Sequence, residues 1–373
     1  MAGIYIHIPF CKQACHYCDF HFSTSQKNRG AIVEALGQEI ELQKSYLDNA
    51  TIETIYFGGG TPSVLDAGEI DFLIDTIAKH HQVSPNAEIT LEANPDDLNQ
   101  NKVAQLKETE INRFSIGVQS FFDEDLVWMN RAHRSAEAET SIKRVQDAGF
   151  ENITADLIYG YPLLSADKWE RNLNTLFSLN IPHLSAYSMT VEPRTALASQ
   201  IKKKQSPPVN DAQSAEQFVY LMQRMQEQGF EHYEISNFGK PGKHSQHNSN
   251  YWKGIPYVGI GPSAHSYNGD TRQWNVANNA LYLKSLSENQ IPAELEILTT
   301  ENRLNEYIMT AIRTMWGLNL EKLETIEKGT STILKKEAQA FINNGWLRQQ
   351  EQTLMLTHTG KLYADHIAAE LFF

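Results

Sequence analysis

Cysteine is scarce in this 373-residue chain, with three in all. An odd count with no second cluster excludes a disulfide framework. Long apolar runs are missing too. None reaches the roughly 20 residues that a membrane-spanning helix needs. The opening Met1-Ala2-Gly3-Ile4-Tyr5 has no basic stretch ahead of an apolar core, so it is not read as a signal peptide. A cytoplasmic, reducing location is the expectation. Positive charge is in deficit, with 32 Lys and Arg against 45 Asp and Glu and a net charge of −13. That balance disfavours a nucleic-acid partner, whose phosphates it would repel, and provides no polybasic membrane anchor. What is present is ordinary for a soluble globular protein, at 41% hydrophobic and 21% charged residues. The length suits one large domain and a smaller one.

The three cysteines are concentrated in Cys11-Lys12-Gln13-Ala14-Cys15-His16-Tyr17-Cys18, a C-x3-C-x2-C spacing just after the apolar Ile4–Phe10. Thiolates are soft ligands for zinc or iron–sulfur clusters. Three from one loop hold three corners of a 4Fe-4S cluster and leave one iron open to a substrate or cofactor. Structural zinc is the other reading, with His7, His16 or His21 as the fourth ligand. Zinc sites, however, usually pair C-x2-C with a second pair downstream, and this chain has none.

Strand and helix patterns alternate along the first two-thirds. Gly3–Pro9, Thr51–Phe57, Glu88–Glu92, Arg113–Gln119, Ile153–Tyr159 and His183–Met189 read as strands, each followed by an amphipathic helix. Six such units form a parallel sheet with helices outside, either flat and doubly wound or curled into an open barrel. The alternation stops near Glu234, and residues 236–298 read as a loop-rich extension with short strands. From 299 to 373 a helix, helix, hairpin pattern suggests a small α+β, winged-helix-like domain. It carries eight Lys and Arg against nine Asp and Glu. A DNA-reading module would be basic, so packing or partner contact is expected instead.

Polar residues recur where the strands end. Gly58-Gly59-Gly60-Thr61-Pro62 closes the second strand, and glycines there allow close backbone approach to a ligand. Glu92, Gln119, Arg131 and Asp156 lie at or near later strand ends. Each alone is more often a cap or a surface group. Together, on one rim of a barrel, they suggest a site. Carboxylates suit ribose hydroxyls or an ammonium, and arginine suits a carboxylate.

These segments resemble the radical S-adenosylmethionine (radical SAM) family, in its coproporphyrinogen-III-oxidase-like branch. Cys11-x3-Cys15-x-Tyr17-Cys18, YIHIPFC, YFGGGTPS, LEANP, FSIGVQSF, ADLIYGYP and GIGPSAHS follow in order over nearly the whole chain. The resemblance implies a partial (β/α)6 barrel with a 4Fe-4S cluster on Cys11, Cys15 and Cys18. It further implies S-adenosylmethionine held by Tyr5, Gly59, Gly60, Thr61, Glu92, Gln119, Arg131 and Asp156.

Within the branch, coproporphyrinogen oxidases carry a fourth cysteine two residues after the third and a longer N-terminal segment. Here that position is Phe20, and only ten residues precede Cys11. The heme chaperones of the HemW type carry phenylalanine there and an H-N-x-x-Y element, matched by His247-Asn248-Ser249-Asn250-Tyr251. The resemblance therefore implies a protein that binds heme and delivers it to heme-accepting proteins such as those of the respiratory chain. Radical oxidative decarboxylation in porphyrin biosynthesis is the alternative, and a zinc-stabilised interaction protein is a third. Imidazole and phenolate both ligate heme iron, so His247 and Tyr251 are the candidate heme ligands, with His244 and His265 nearby. Without the family, a lone histidine in such a stretch is more often a structural hydrogen-bonding group. A homodimer and peripheral membrane association are compatible with the sequence.

Overall fold

The computed structural model describes all 373 residues. Six parallel strands form its centre in sequence order: β1 (Ala2–Ile8), β2 (Ile52–Gly59), β3 (Val83–Ala93), β4 (Arg113–Gln119), β5 (Ile153–Tyr159) and β6 (His183–Ser188). Helices cover the outside. They are α1 (Arg29–Leu42), α2 (Ala67–His80), α3 (Gln100–Lys107), α4 (Asp123–Trp128), α5 (Ser135–Asp147), α6 (Ala166–Ser178), α7 (Ala196–Lys202) and α8 (Asp211–Glu227). The period-2 alternation of β1 sends Ile4, Ile6 and Ile8 into the main core, where Ile32, Leu36 and Ile40 of α1 also lie. Helix α2 begins at a capping box in which Asp66 and Glu69 each accept the other's backbone N–H.

The sheet is curled rather than flat. The side chain of Tyr56 on β2 lies near enough to Asp156 on β5 and Tyr187 on β6 for their ionisations to oppose one another. In a flat sheet, β2 and β6 would stand roughly 19 Å apart, four strand spacings. The curl is open, because β1 and β6 each pair with a different further strand.

Those further strands come from the stretch expected to be loop-rich, which is more regular than its composition suggests. β7 (Glu231–Glu234) and β8 (Asn237–Gly239) add antiparallel strands beside β6. After α9 (Gln246–Trp252), β9 (Tyr257–Ile260) runs parallel to β1. β10 (His265–Tyr267), β11 (Thr271–Asn275) and β12 (Ala293–Ile297) continue that edge antiparallel, with α10 (Asn279–Ser287) between the last two. One sheet of twelve strands results. A buried carboxylate ties this extension to the barrel. Glu39 of α1 accepts hydrogen bonds from Gly261 N at 2.8 Å, Asn275 Nδ2 at 2.7 Å and Tyr282 Oη at 2.5 Å.

A second, separate hydrophobic cluster of 16 residues spans Leu304 to Leu371. Around it lie α11 (Thr300–Ile312), β13 (Leu318–Asn319), α12 (Leu320–Ile326), α13 (Thr330–Asn343), the hairpin β14 (Leu347–Gln350) and β15 (Thr353–Leu356), and α14 (Ala364–Glu370). The helix, helix, hairpin pattern expected from the sequence is present, with α12 and the short β13 in addition. Met315 N bonds Tyr233 O at 2.9 Å and joins this unit to β7.

Candidate cofactor site at the barrel mouth and a second cavity

The cysteine loop leaves the C-terminal end of β1 and is pinned from several sides. Cys11 N donates to Ser23 O and His16 N to Met129 O. Asn130 Nδ2 donates to Ala14 O at 2.7 Å, and Gln13 Nε2 to Asn130 Oδ1 at 2.7 Å. Lys12 pairs with Asp96 at 2.8 Å and with Asp97. Leu197 N, on α7, donates to His16 O at 2.8 Å. A loop without regular structure is thereby held in one shape.

All three cysteines are half-buried and free. A chain of hydrogen bonds links two of them. Thr61 Oγ1 donates to Cys11 Sγ at 3.4 Å, and Asn94 Nδ2 donates to Thr61 Oγ1 at 3.3 Å. Arg131 then donates from Nη2 to Asn94 Oδ1 at 2.6 Å and from Nη1 to Cys15 Sγ at 3.4 Å. Donors aimed at sulfur stabilise thiolate charge. Burial works the other way, raising the Cys11 thiol and pushing Cys18 up to about 12. The metal-free thiols of Cys11 and Cys18 are therefore protonated near neutral pH, and binding a metal there would release those protons.

A cubane takes each thiolate on a different iron. The donor set, the sulfur-directed donors and the buried, unpartnered Arg131 Nε fit such a cluster.

The Gly58–Gly60 turn lies against the start of this loop. Gly60 N bonds Ile8 O at 2.9 Å and Thr61 N bonds Phe10 O at 2.7 Å. A Cβ at Gly60 would meet Phe10 O at 2.6 Å and Ile8 O at 2.7 Å. Gly59 needs its freedom in a second way, at φ +103°. Gln119, at the end of β4, holds a left-handed φ of 64° beside a register shift in its pairing with β5. Such strain in a non-glycine residue is typical of functional positions.

Inside the curl, Tyr5 and Tyr56 stack with centroids 6.1 Å apart, and Tyr56 Oη donates to Glu92 Oε1 at 2.8 Å. Ser115 Oγ donates to Asp156 at 3.1 Å. Burial pushes both carboxyls, Glu92 and Asp156, up to about 7. A cation placed between them would draw them back to the charged form.

The structure thus brings Cys11, Cys15, Thr61 and Arg131 into one network, with Gly59, Gly60 and Gln119 at the strand ends and Tyr5, Glu92 and Asp156 below. Sequence reasoning gave no separate role to Asn94, Asn130 or α7. Asn94 sat inside a noted segment, but its bridging role depends on Thr61 and Arg131, both distant in sequence.

His247 and Tyr251 are not brought into one pocket. His247 faces the barrel floor, where its Nδ1 hydrogen-bonds Thr54 Oγ1 at 2.9 Å and its ring stacks on Tyr56 at 4.9 Å. Burial pushes its pKa down to about 4. Tyr251, one turn later on α9, is half-exposed and packs on Trp252 and Tyr257, with centroids 5.7 and 5.3 Å away. It lines a cavity of about 670 Å³ between the extension and the C-terminal helices, and His247 does not. His244 stacks on Tyr233 and pairs with Glu231, whereas His265 is exposed beside Trp274.

Comparison with known proteins agrees with this fold. The radical SAM superfamily model matches residues 5–176, and the HemN C-terminal domain model matches residues 298–363. A protein named heme chaperone HemW from Bacillus subtilis is 35% identical over 98% of this chain and 98% of its own length. One of the same name from Escherichia coli is 36% identical over 99% and 97%. Among solved structures, coproporphyrinogen III oxidase (HemN) from Escherichia coli, described as a radical SAM enzyme, superposes with a TM-score of 0.86. The superposition covers 100% of this chain and 90% of that one at 21% identity, and so speaks to the fold. No helix is long and apolar enough to cross a membrane. By near-full-length sequence likeness and by fold, the chain belongs to the radical SAM superfamily, within its HemW group.

Proposed function

We propose that this protein binds heme and hands it to hemoproteins, respiratory-chain components among them, while carrying a 4Fe-4S cluster and S-adenosylmethionine at the barrel mouth. The observation that carries the reading is its near-full-length likeness to proteins named heme chaperone HemW. The cavity lined by Tyr251 supports it with a place for a flat aromatic ligand. When bound, the cluster supplies one-electron chemistry and an open iron for the amino and carboxylate groups of S-adenosylmethionine.

In this reading Cys11, Cys15 and Cys18 hold the cluster, and Thr61 and Arg131 stabilise thiolate charge on Cys11 and Cys15. The backbone of Gly59, Gly60 and Thr61 receives the methionyl end of the cofactor. Glu92 takes the ammonium, Asp156 the ribose hydroxyls, and Tyr5 and Gln119 the remaining contacts. Tyr251 would offer its phenol oxygen as a ligand to the heme iron. His247 acts through position, seating α9 on the barrel floor against Thr54.

The test is an anaerobic titration of the reconstituted protein with heme, run beside an incubation with coproporphyrinogen III and S-adenosylmethionine. Saturable heme uptake without decarboxylation is expected. Tyr251→Phe should change the absorption signature of the bound iron, whereas His247→Ala should weaken uptake without changing it. Formation of protoporphyrinogen would overturn the proposal in favour of radical decarboxylation.

A further inference from the structure

The cavity beside Tyr251 has two unlike sides. Tyr251, Trp252 and Tyr257 present aromatic faces from α9 and β9. From the C-terminal unit come Arg303, Arg313 and Lys322. These cations are poorly matched by anions. Arg303 pairs at 3.3 Å with Asp270, whose side chain is 83% exposed, and Arg313 pairs with Asp365, which is 80% exposed. Ion pairs with such exposed partners are weak and readily exchanged. The Nε–H groups of Arg303 and Arg313 are buried without any acceptor.

Lys322 makes no ion pair and rests over the Tyr307 ring at 4.4 Å. Burial lowers the pKa of Lys322, and at Arg313 it outweighs the nearby Glu234 carboxylate and lowers that pKa too. The one carboxylate among the lining residues, Glu306, pairs through Oε1 with Arg272 at 2.5 Å and leaves its buried Oε2 without a partner, so the lining carries four cations against one carboxylate. Unpaired buried donors are uncommon in folded proteins and call for a partner.

We propose that this side of the cavity recognises the carboxylate edge of a tetrapyrrole. The ring lies on the aromatic wall beside Tyr251, and its propionates take hydrogen bonds and charge from Arg303, Arg313 and Lys322. The inference rests on the heme reading for the identity of the ring. It adds that affinity comes from the carboxylates and not from the iron alone. The arrangement also explains why the C-terminal unit belongs to the site. Without α11 and α12 the cavity would keep its aromatic wall and Arg272 but lose Arg303 and Lys322.

The test uses the full chain and three probes in one detergent buffer: heme, protoporphyrin IX without iron, and heme dimethyl ester. The wild type is expected to bind heme and protoporphyrin IX, and to bind the ester at least tenfold more weakly. Arg303→Gln with Lys322→Gln should lower heme affinity about tenfold or more and leave ester affinity unchanged. Both positions are chosen because their existing partners are an exposed carboxylate and a ring face, so folding should survive; circular dichroism checks this. Equal binding of heme and its ester, unaffected by the double variant, would overturn the carboxylate inference and leave the heme reading standing. Failure of all three probes to bind would overturn both. Binding of the two acids but not the ester, with no effect of Tyr251→Phe on heme absorption, would remove the axial role of Tyr251 and keep the carboxylate edge.

Discussion

Replacing Gly60 with alanine tests the link between the fold and the metal loop. The added Cβ would stand 2.6 Å from Phe10 O, 2.7 Å from Ile8 O and 2.9 Å from Phe10 N. All three are backbone atoms, so no rotamer relieves the clash. Ordinary contact begins near 3.4 Å, so Phe10 must retreat by about 0.8 Å, and overpacking of this kind costs about 1–3 kcal/mol. Phe10 immediately precedes Cys11, and a site tolerates displacement of only about 0.5 Å before its geometry fails. Two effects are therefore expected: a lower urea midpoint, and iron loading well below the wild type after anaerobic reconstitution. Gly68→Ala is the control, because there a Cβ meets only Asp66 Oδ1, at 3.6 Å, at the start of α2. The control should fold as well as the wild type or slightly better. If Gly60→Ala loaded iron fully and unfolded within about 0.5 kcal/mol of wild type, the argument that this turn sets the position of Cys11 would be wrong.

Other predictions follow from the buried polar groups. Glu92 and Asp156 are pushed up to about 7, so each is mostly neutral at pH 6 and mostly charged at pH 8. Binding of the cationic S-adenosylmethionine should strengthen as pH rises, by about tenfold from pH 8 relative to pH 6 if one carboxylate dominates. Calorimetric titration at the two pH values checks this, and Glu92→Gln should flatten the dependence; tighter binding at pH 6 would refute it. Glu39→Ala would leave Tyr282 Oη, Asn275 Nδ2 and Gly261 N without this acceptor. It should destabilise the protein by about 3 kcal/mol in denaturant titration.

Much of the fold was legible because its signals are local. The alternating Ile4, Ile6 and Ile8, and the helical stripe of Ile70, Leu73, Ile74 and Ile77, depend only on neighbours. The return of β9 to pair in parallel with β1 was not legible. Tyr257–Ile260 is four residues long, and nothing nearby tells it which edge to join. The same holds for α7 and α9, seven residues each, whose stability comes from docking rather than from an apolar stripe. The cysteine loop was conspicuous by its spacing. Its support was not, since Thr61 and Arg131 meet the sulfurs, and Asn94 bridges the two, only after three strands have been placed side by side. The cations of the second cavity form no motif at all. Arg303, Arg313 and Lys322 read as ordinary helix residues until α11 and α12 face the aromatic wall.

The account depends most on three sulfurs holding an iron–sulfur cube with one iron left for S-adenosylmethionine. Mössbauer spectroscopy of the protein reconstituted with ⁵⁷Fe, with and without that ligand, tests it most directly. A cubane signal is expected in which one iron site in four shifts on addition of S-adenosylmethionine, and which is lost in Cys15→Ala. A zinc-loaded protein with no cubane signal, or a cluster whose four irons ignore the ligand, would contradict the account.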